Sequence, residues 1–220
     1  MAFLTKGLNM ARMKKKLKLF AVVFTLTAAA AGGFFAVSNK HPANKTNQGM
    51  LAYQAGDYQT AFEIFSAQNA VENPEAPFIV GAMYFAGQGV EQNEEKAFFY
   101  YEQAADFGYV PAQTTLAMLY AHKHRWDDAY AFARKAAENG DIEAQMLLAG
   151  WYENGAGRPF DMQKAVHFYE LAAKNGDLNA KTALYLIYKE GKKGFPANEF
   201  AAGRWLRVLQ KQKALIKKLQ

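Results

Sequence analysis

The sequence predicts an all-α protein built from tandem helical hairpins, and three observations support this fold class. The first is a repeated string that starts with Ala, has Tyr eight residues later, and continues through a turn to a second Ala. Successive units begin 36, 32 and 36 residues apart, a period typical of stacked helical hairpins. The composition is 51% hydrophobic with 15% aromatic residues, which is ample for a packed interior. Together these observations predict a right-handed α-solenoid of about five hairpins.

The first forty residues differ from the rest of the chain. Residues 1–16 form a basic segment, predicted to be cytoplasmic, and the apolar run Leu17–Val37 follows it. This order is typical of a transmembrane signal anchor or a signal peptide. Because the run has about the 20 residues needed to cross a bilayer, we favour an anchor in the inner membrane with the repeats in the periplasm. Small residues at Ala28–Ala31 and Ala36–Ser38 keep the alternative open, which is cleavage and secretion to the periplasm. A buried core helix is the third alternative.

Residues 38–48 lack apolar periodicity and are predicted to form a linker. The segment that follows, 49–75, has turn and aromatic residues at regular spacing and contains Pro74 near its end. Its signature residues are Gly49, Tyr53, Gly56, Asp57, Tyr58, Ala61 and Phe65. This segment resembles a tetratricopeptide repeat, which implies one helical hairpin ahead of the main array.

Residues 76–191 hold the main repeats, and each repeat is predicted to be one hairpin. The first helix carries an aliphatic or small residue and, four residues later, a tyrosine, so both lie on one helix face. The tyrosines are Tyr84, Tyr120, Tyr152 and Tyr188. The second helix carries alanines at fixed places, which let neighbouring helices approach closely. We therefore expect the tyrosines to act mainly in packing, with part of the column facing a groove.

Turn residues mark the ends of these helices. Glycines fall between the two helices of a hairpin and after the second helix, where left-handed backbone angles suit them. These glycines are Gly87, Gly89, Gly108, Gly140, Gly155, Gly157 and Gly176. Asn93 and Asp161 are predicted N-caps, as is Asp127 or Asp128 in the shorter unit. That unit lacks the glycine loop, so we expect a tighter connection there.

The combined pattern of alanine, tyrosine and glycine resembles the Sel1-like repeat family. Ala76–Gly108 and Ala144–Gly176 match it best, and the resemblance extends to Gly191. It implies a non-enzymatic scaffold that binds a peptide or protein partner in the bacterial cell envelope. One alternative is a cell-wall enzyme that binds or hydrolyses peptidoglycan or binds β-lactams. The relatives linked to those ligands carry a regular cysteine pair in each repeat, and this chain has no cysteine. A structural subunit of an envelope machine is the other alternative.

In stacked hairpins the first helices line the concave side. First-helix residues that do not face neighbouring helices are therefore candidates for contact with an extended peptide or a partner helix. These predicted partner-binding residues are Phe85, Gln113, Gln145, Glu153, Asn154, Lys181, Lys189 and Glu190.

The C-terminal segment, residues 192–220, is predicted to end in a basic amphipathic helix. It departs from the repeat pattern, as a capping unit does, so we expect it to cover the open end of the stack. Its last 17 residues, 204–220, contain six basic residues and no acid. A helix that docks on a partner or on an anionic membrane surface is therefore the alternative.

Charge and composition exclude several classes of function. The two ends of the chain hold twelve of its 26 basic residues and no acid, which leaves 14 basic against 20 acidic side chains over 21–203. A mildly acidic body argues against a nucleic-acid-binding surface.

The absence of cysteine excludes disulfides and thiolate metal sites. His122 and His124 have no evident third ligand, and no serine lies in a nucleophile motif. The sequence predicts no enzyme activity and no cofactor, and it leaves the oligomeric state open.

Overall fold

The computed structural model describes residues 45–219, and these residues form ten helices and no β-strand. Lys192 and Phe195 form one isolated β-bridge. The all-α prediction is therefore confirmed for this part of the chain. None of these ten helices is long and apolar enough to span a membrane. The predicted anchor, 17–37, and the basic segment before it lie outside the described residues and stay predictions, as does the handedness of the solenoid.

The chain divides into two compact units, the first ending at Ala97 and the second beginning at Phe98. The helices are α1 Lys45–Gln54, α2 Tyr58–Ser66, α3 Glu75–Ala86, α4 Glu94–Asp106, α5 Val110–His122, α6 Trp126–Glu138, α7 Ile142–Asn154, α8 Met162–Lys174, α9 Leu178–Glu190 and α10 Glu199–Leu219. From α3 to α9, helices of 12 or 13 residues alternate with short connections, as the period predicts.

In the first unit, α1 packs against α2, and α2 packs against α3. Helix α1 begins at Lys45. Residues 45–48 are therefore helical, and the predicted linker, 38–48, included the first four residues of this helix. The reason is a contact distant in sequence: the Thr46 hydroxyl donates to Gln68 Oε1 at 3.0 Å and accepts from Asn73 Nδ2 at 2.9 Å. These bonds hold the first turn of α1 in place.

In the second unit, each helix from α5 to α10 packs against the next one along the chain. The core consists of the alanine columns and the aliphatic column of the first helices. Its fully buried members include Ala112, Leu116, Ala117, Ala129, Ala133, Ala144, Leu148, Ala149, Ala165, Ala180 and Leu184. Alanine at the contact points permits close helix packing, and larger side chains such as Tyr130 and Tyr169 fill the remaining space. The close helix packing predicted from the alanines at fixed places is confirmed.

The turns follow the glycine and cap predictions, with one exception. Asn93 and Asp161 accept hydrogen bonds from the backbone N–H groups three residues later and cap their helices. The prediction for Asp127 or Asp128 is wrong, because α6 begins one residue earlier, at Trp126, without a side-chain cap. Both aspartates lie in the first turn, where carboxylates favour the helix dipole, and Asp128 pairs with Arg125 at 2.8 Å. The connection before α6 is the short one that the 32-residue unit predicts.

Candidate partner-binding face

The first helices of the second unit, α5, α7 and α9, expose equivalent positions. Each has a fully buried aliphatic residue, Leu116, Leu148 or Leu184, and α5 contacts α7 directly. The residues two positions later lie about 200° around each helix from that buried side chain. These and the equivalent positions one turn later are half-buried or exposed: Met118, Ala121, His122, Gly150, Glu153, Asn154, Leu186, Lys189 and Glu190. We call these nine residues the first-helix face.

Three of the predicted partner-binding residues lie inside the stack and outside this face. Gln113, Gln145 and Lys181 occupy one repeat position, with exposed fractions of 4%, 2% and 9%. The prediction that they are free surface residues is therefore corrected. Sequence periodicity placed them at the edge of the helix, where a neighbouring hairpin covers them.

Their polar groups bind backbone carbonyls at the end of the preceding second helix. Gln113 Nε2 donates to the carbonyl of Ala105, and Gln145 Nε2 to that of Ala137, both at 3.1 Å. Lys181 Nζ donates to the carbonyl of Gly176 at 3.2 Å. The carbonyls of Ala105 and Ala137 also accept from the N–H groups of Gly108 and Gly140, so each glutamine adds a second hydrogen bond to a helix end. Gly176 lies in the turn just after the preceding helix. Their geometry gives them a structural role.

Glu153 is half-buried and already has two partners. Its Oε2 accepts a hydrogen bond from the Tyr169 hydroxyl at 2.6 Å, and its Oε1 lies 3.4 Å from Lys192 Nζ. Burial and the carboxylate raise the pKa of Tyr169. Glu153 therefore joins α7 to α8 and to the turn after α9, which makes it a weaker candidate for a partner contact than its exposed neighbours.

The four remaining predicted partner-binding residues differ in how exposed their side chains are. Lys189 and Glu190 are exposed on α9, and Asn154 is exposed at the end of α7, where its Nδ2 donates to the carbonyl of Gly150 at 2.7 Å. Phe85 is half-buried in the first unit, where its carbonyl accepts from Gln92 Nε2 at 2.8 Å. A role in partner binding stays a prediction for all four.

The sequence reasoning missed the apolar centre of the first-helix face. Met118, Gly150 and Leu186 hold one column, and Leu186 is 41% exposed. The signal was present in the sequence, since each follows the repeated leucine by two residues. Leu186 therefore gives this face an exposed apolar side chain, as the centre of an interface requires.

Gly150 leaves an open space in this column. Within residues 45–219, no described atom lies within 4 Å of the position that a Cβ would occupy there, so packing in this part of the chain does not require glycine. Glycine inside a helix is less stable than alanine by about 0.5–1 kcal/mol. We therefore expect Gly150→Ala to raise the free energy of unfolding by about that amount in urea titrations. Equal or lower stability in the variant would contradict this account of the site.

The repeat tyrosines lie against other rings. Tyr120 and Tyr152 are each contacted edge-on by a ring of the preceding second helix and stack on a ring of their own second helix. The two sets are Phe98–Tyr120–Phe132 and Tyr130–Tyr152–Phe168, with ring centroids 5.3 to 5.9 Å apart. Such aromatic pairs stabilise a fold by about 0.5–1.5 kcal/mol each beyond their burial. These contacts agree with the packing role predicted for the tyrosines.

Tyr120 is 3% exposed, and its hydroxyl donates to the carboxylate of Glu102. Burial, followed by the neighbouring carboxylate, raises the pKa of Tyr120 to about 12. An unfolded tyrosine titrates near pH 10, so neutral Tyr120 stabilises the fold fully below that pH. This contribution is lost as the pH rises from about 10 to about 12.

We expect the Tyr120→Phe variant to lose less stability than the natural chain across that alkaline window, because it has no hydroxyl to ionise. Urea unfolding at several pH values between about 9 and 12 measures the two slopes. Tyr130, whose pKa burial also raises to about 12, is present in both proteins and does not contribute to the difference. Identical slopes would contradict the assignment.

A family model for the Sel1 repeat matches residues 74–109, 127–141 and 142–177. The chain contains Sel1 repeats in these three stretches. The first and third Sel1 segments coincide with the helix pairs α3–α4 and α7–α8, and the second covers most of α6. The resemblance identified from the sequence is thereby confirmed.

Curated relatives match this chain over part of their length. An uncharacterized protein of Neisseria meningitidis, NMB1327, is 32% identical over 117 residues, which are 53% of this chain and 25% of that protein. The mouse protein DAP3-binding cell death enhancer 1 is 31% identical over 100 residues, 44% of this chain and 20% of that protein. The chitin synthase regulator SKT5 of Saccharomyces cerevisiae is 28% identical over 160 residues, 70% of this chain and 23% of that protein. The chain thus spans a quarter or less of each of these relatives.

Two solved structures support the same fold. A Sel1 repeat protein from Oxalobacter formigenes aligns with a TM-score of 0.66 and 28% identity over 76% of this chain and 70% of that chain. The protective antigen c5321 of uropathogenic Escherichia coli aligns with a TM-score of 0.62 and 22% identity over 90% of this chain and 41% of that chain. The second likeness concerns the fold alone. Sel1-repeat proteins generally mediate protein–protein interaction and are typically non-enzymatic scaffolds.

Proposed function

We propose that this protein is a non-enzymatic scaffold of the bacterial cell envelope that binds a peptide or protein through its first-helix face. The observation that carries the proposal is the exposed Leu186, which shares a column with the half-buried Met118 and lies next to charged side chains. Leu186, Lys189 and Glu190 lie at one end of the first-helix face, all exposed on α9. Interfaces with an apolar centre and a polar rim are typical of specific protein recognition.

The chemistry of the face indicates what kind of partner fits. Leu186 offers an apolar anchor, the open space at Gly150 accepts a side chain or a close backbone, and Asn154 offers an amide at the rim. A partner with an apolar residue flanked by charged or amide groups would complement them. A helix or an extended segment lying along α5, α7 and α9 satisfies this requirement.

The names of two curated relatives support a role in binding or regulating another protein. One mouse relative is named for binding another protein, DAP3. The yeast relative is named as a regulator of chitin synthase. Both names point to action on another protein, and we extend that class of role, without the particular partner, to this chain.

The proposed location rests on the N-terminal sequence. The basic segment 1–16 and the apolar run 17–37 would hold the chain in the inner membrane, with the repeats in the periplasm. If the apolar run is cleaved, the repeats are released to the periplasm. Protease protection in spheroplasts, with an antibody against the C-terminus, distinguishes a periplasmic from a cytoplasmic domain.

The scaffold proposal is tested with Leu186→Glu and Lys189→Glu in the full chain. Each variant is crosslinked in bacterial membranes and purified, and the co-purified proteins are quantified. We expect one defined partner to fall about tenfold or more for Leu186→Glu, because loss of an interface anchor costs at least about 1–2 kcal/mol. Lys189→Glu should reduce the same partner.

The matched control is Ala131→Glu, at an exposed position of the second helix α6. It adds the same charge outside the first-helix face and should keep the partner. Circular dichroism checks that all three variants retain their helicity. The proposal fails if Ala131→Glu and Leu186→Glu affect the partner equally, or if the purified chain hydrolyses cell-wall fragments.

A further inference from the structure

Helix α10 has one face that packs against the repeats. Ala202, Trp205, Leu209 and Gln212 follow one another at intervals of three and four residues and so share a side of the helix. Ala202 and Leu209 are 5% and 6% exposed, and Trp205 packs against the core. Gln212 Oε1 accepts a hydrogen bond from Lys181 Nζ at 2.6 Å. These contacts fix the rotation of the helix about its axis.

The opposite side of α10 carries an exposed row of basic and apolar residues. Phe200, Arg204, Arg207 and Lys211 are spaced by four, three and four residues and form one stripe. Phe200 is 75% exposed, and Val208, one turn after Arg204, is 41% exposed. We call these five residues the outer face of α10.

The outer face of α10 is basic. Arg204 lies near Tyr188, where its charge opposes the rise in the pKa of that tyrosine, and the Tyr188 hydroxyl donates to Glu170 at 3.3 Å. No acidic residue occurs between residues 200 and 220. Among residues 45–219, no ion pair involves Arg204, Arg207 or Lys211. The stripe therefore combines three cations with two exposed apolar side chains, although most of the chain, 21–203, is mildly acidic.

We propose that the outer face of α10 binds the surface of an anionic phospholipid bilayer. Basic side chains on a helix are attracted to anionic lipid head groups, and bulky apolar side chains on the same face enter the boundary below them. The phosphates would meet Arg204, Arg207 and Lys211, while Phe200 and Val208 would bury apolar area. A nucleic acid offers phosphates without an apolar layer, so it fits this face less well. This contact is separate from the first-helix face and from the predicted anchor.

The test uses the full chain, which has no cysteine. Val208→Cys carries a single environment-sensitive dye, and the protein is mixed with vesicles of phosphatidylcholine alone or with added phosphatidylglycerol. The predicted anchor is present in every sample, so attachment at that end does not distinguish them. We expect a blue shift of the dye with the anionic vesicles only, reversed by high salt, which screens the attraction. The same dye at Val71→Cys, exposed in the first unit, should not respond.

A triple variant, Arg204→Gln, Arg207→Gln and Lys211→Gln, tests the three cations directly. Each basic residue near an anionic surface strengthens binding about fivefold, so the dye at position 208 of the variant should need about a hundredfold more anionic lipid to give the same blue shift. The matched control replaces Arg134, Lys135 and Lys174, which are exposed on α6 and α8, with glutamine and should respond as the natural chain does.

Three results would overturn the proposal. One is the same dye response with neutral and anionic vesicles in the natural chain. Another is an equal dye response at position 208 to anionic vesicles in the triple variant and the natural chain. The third is a dye response to an acidic polypeptide such as polyglutamate without any response to anionic vesicles, which would assign the face to an acidic protein.

Discussion

The Gly157→Ala variant is expected to lose about 3 kcal/mol of its free energy of unfolding, from two separate causes. Gly157 has a φ of +69°, and a residue with a Cβ is less stable there by about 1–2 kcal/mol. A Cβ would also lie 2.0 Å from Trp126 Cγ and 2.2 Å from its Cδ2. Trp126 is held in turn against Trp151, with ring centroids 5.7 Å apart. Relieving the overlap must therefore move packed aromatic rings, at a cost of about 1–3 kcal/mol.

Gly140→Ala is the matched control for that substitution. Gly140 also has a left-handed backbone, with a φ of +84°, but no atom of the part of the chain that the structure describes lies within 4 Å of the position that its Cβ would occupy. It should lose only about 1–2 kcal/mol, from the backbone alone. Urea unfolding followed by far-UV circular dichroism measures both. Equal losses would show that the loop between α7 and α8 does not pack on Trp126 as described.

The second large effect is expected for Leu148→Ala. Leu148 is fully buried and belongs to the core that includes Ala117, Tyr130 and Ala144. Removing its side chain leaves a cavity between helices, and substitutions of this kind cost about 2–5 kcal/mol. We expect a loss of about 3 kcal/mol, because the neighbouring alanines are too small to fill the space.

Leu186→Ala provides the comparison with the same chemical change at an exposed site. Leu186 is 41% exposed, and substitutions at such surface sites usually change stability by no more than about 0.5 kcal/mol. The two variants are compared by their urea midpoints in the absence of any partner. If Leu148→Ala were as stable as Leu186→Ala, the aliphatic column would not form the core of the stack.

The features that repeat could be predicted from the sequence. Alanine, leucine and glycine each have one strong structural preference, and each recurs at a fixed place. The buried Leu148 and the left-handed Gly157 could therefore be assigned from spacing alone. The caps at Asn93 and Asp161 follow from the same regularity.

Polar residues at repeat positions could not be assigned in this way. Gln113, Gln145 and Lys181 occupy a column that a neighbouring hairpin covers, and their burial depends on carbonyls supplied by the preceding second helix. Periodicity reports the direction of a side chain from its own helix and carries no information about such partners. The start of α1 was missed for a related reason, since Thr46 is held by Asn73.

The C-terminal helix α10 could be predicted from the sequence only in part. Its basic and amphipathic character is evident in the sequence. The contacts of Ala202, Leu209 and Gln212 identify the side of α10 that packs against the repeats. The sequence alone does not identify it, because apolar residues lie on more than one side of the helix. The exposed stripe from Phe200 to Lys211 then follows by exclusion.

Photo-crosslinking in living cells tests the central claim most directly, which is that partners bind the first helices. A photoreactive amino acid is placed in turn at Met118 and Leu186 on the first helices, and at Ala131 and His167, which are exposed on the second helices. The account predicts an adduct with one and the same protein at Met118 and Leu186, and none at Ala131 or His167. Adducts at Ala131 and His167, with none at Met118 and Leu186, would contradict it.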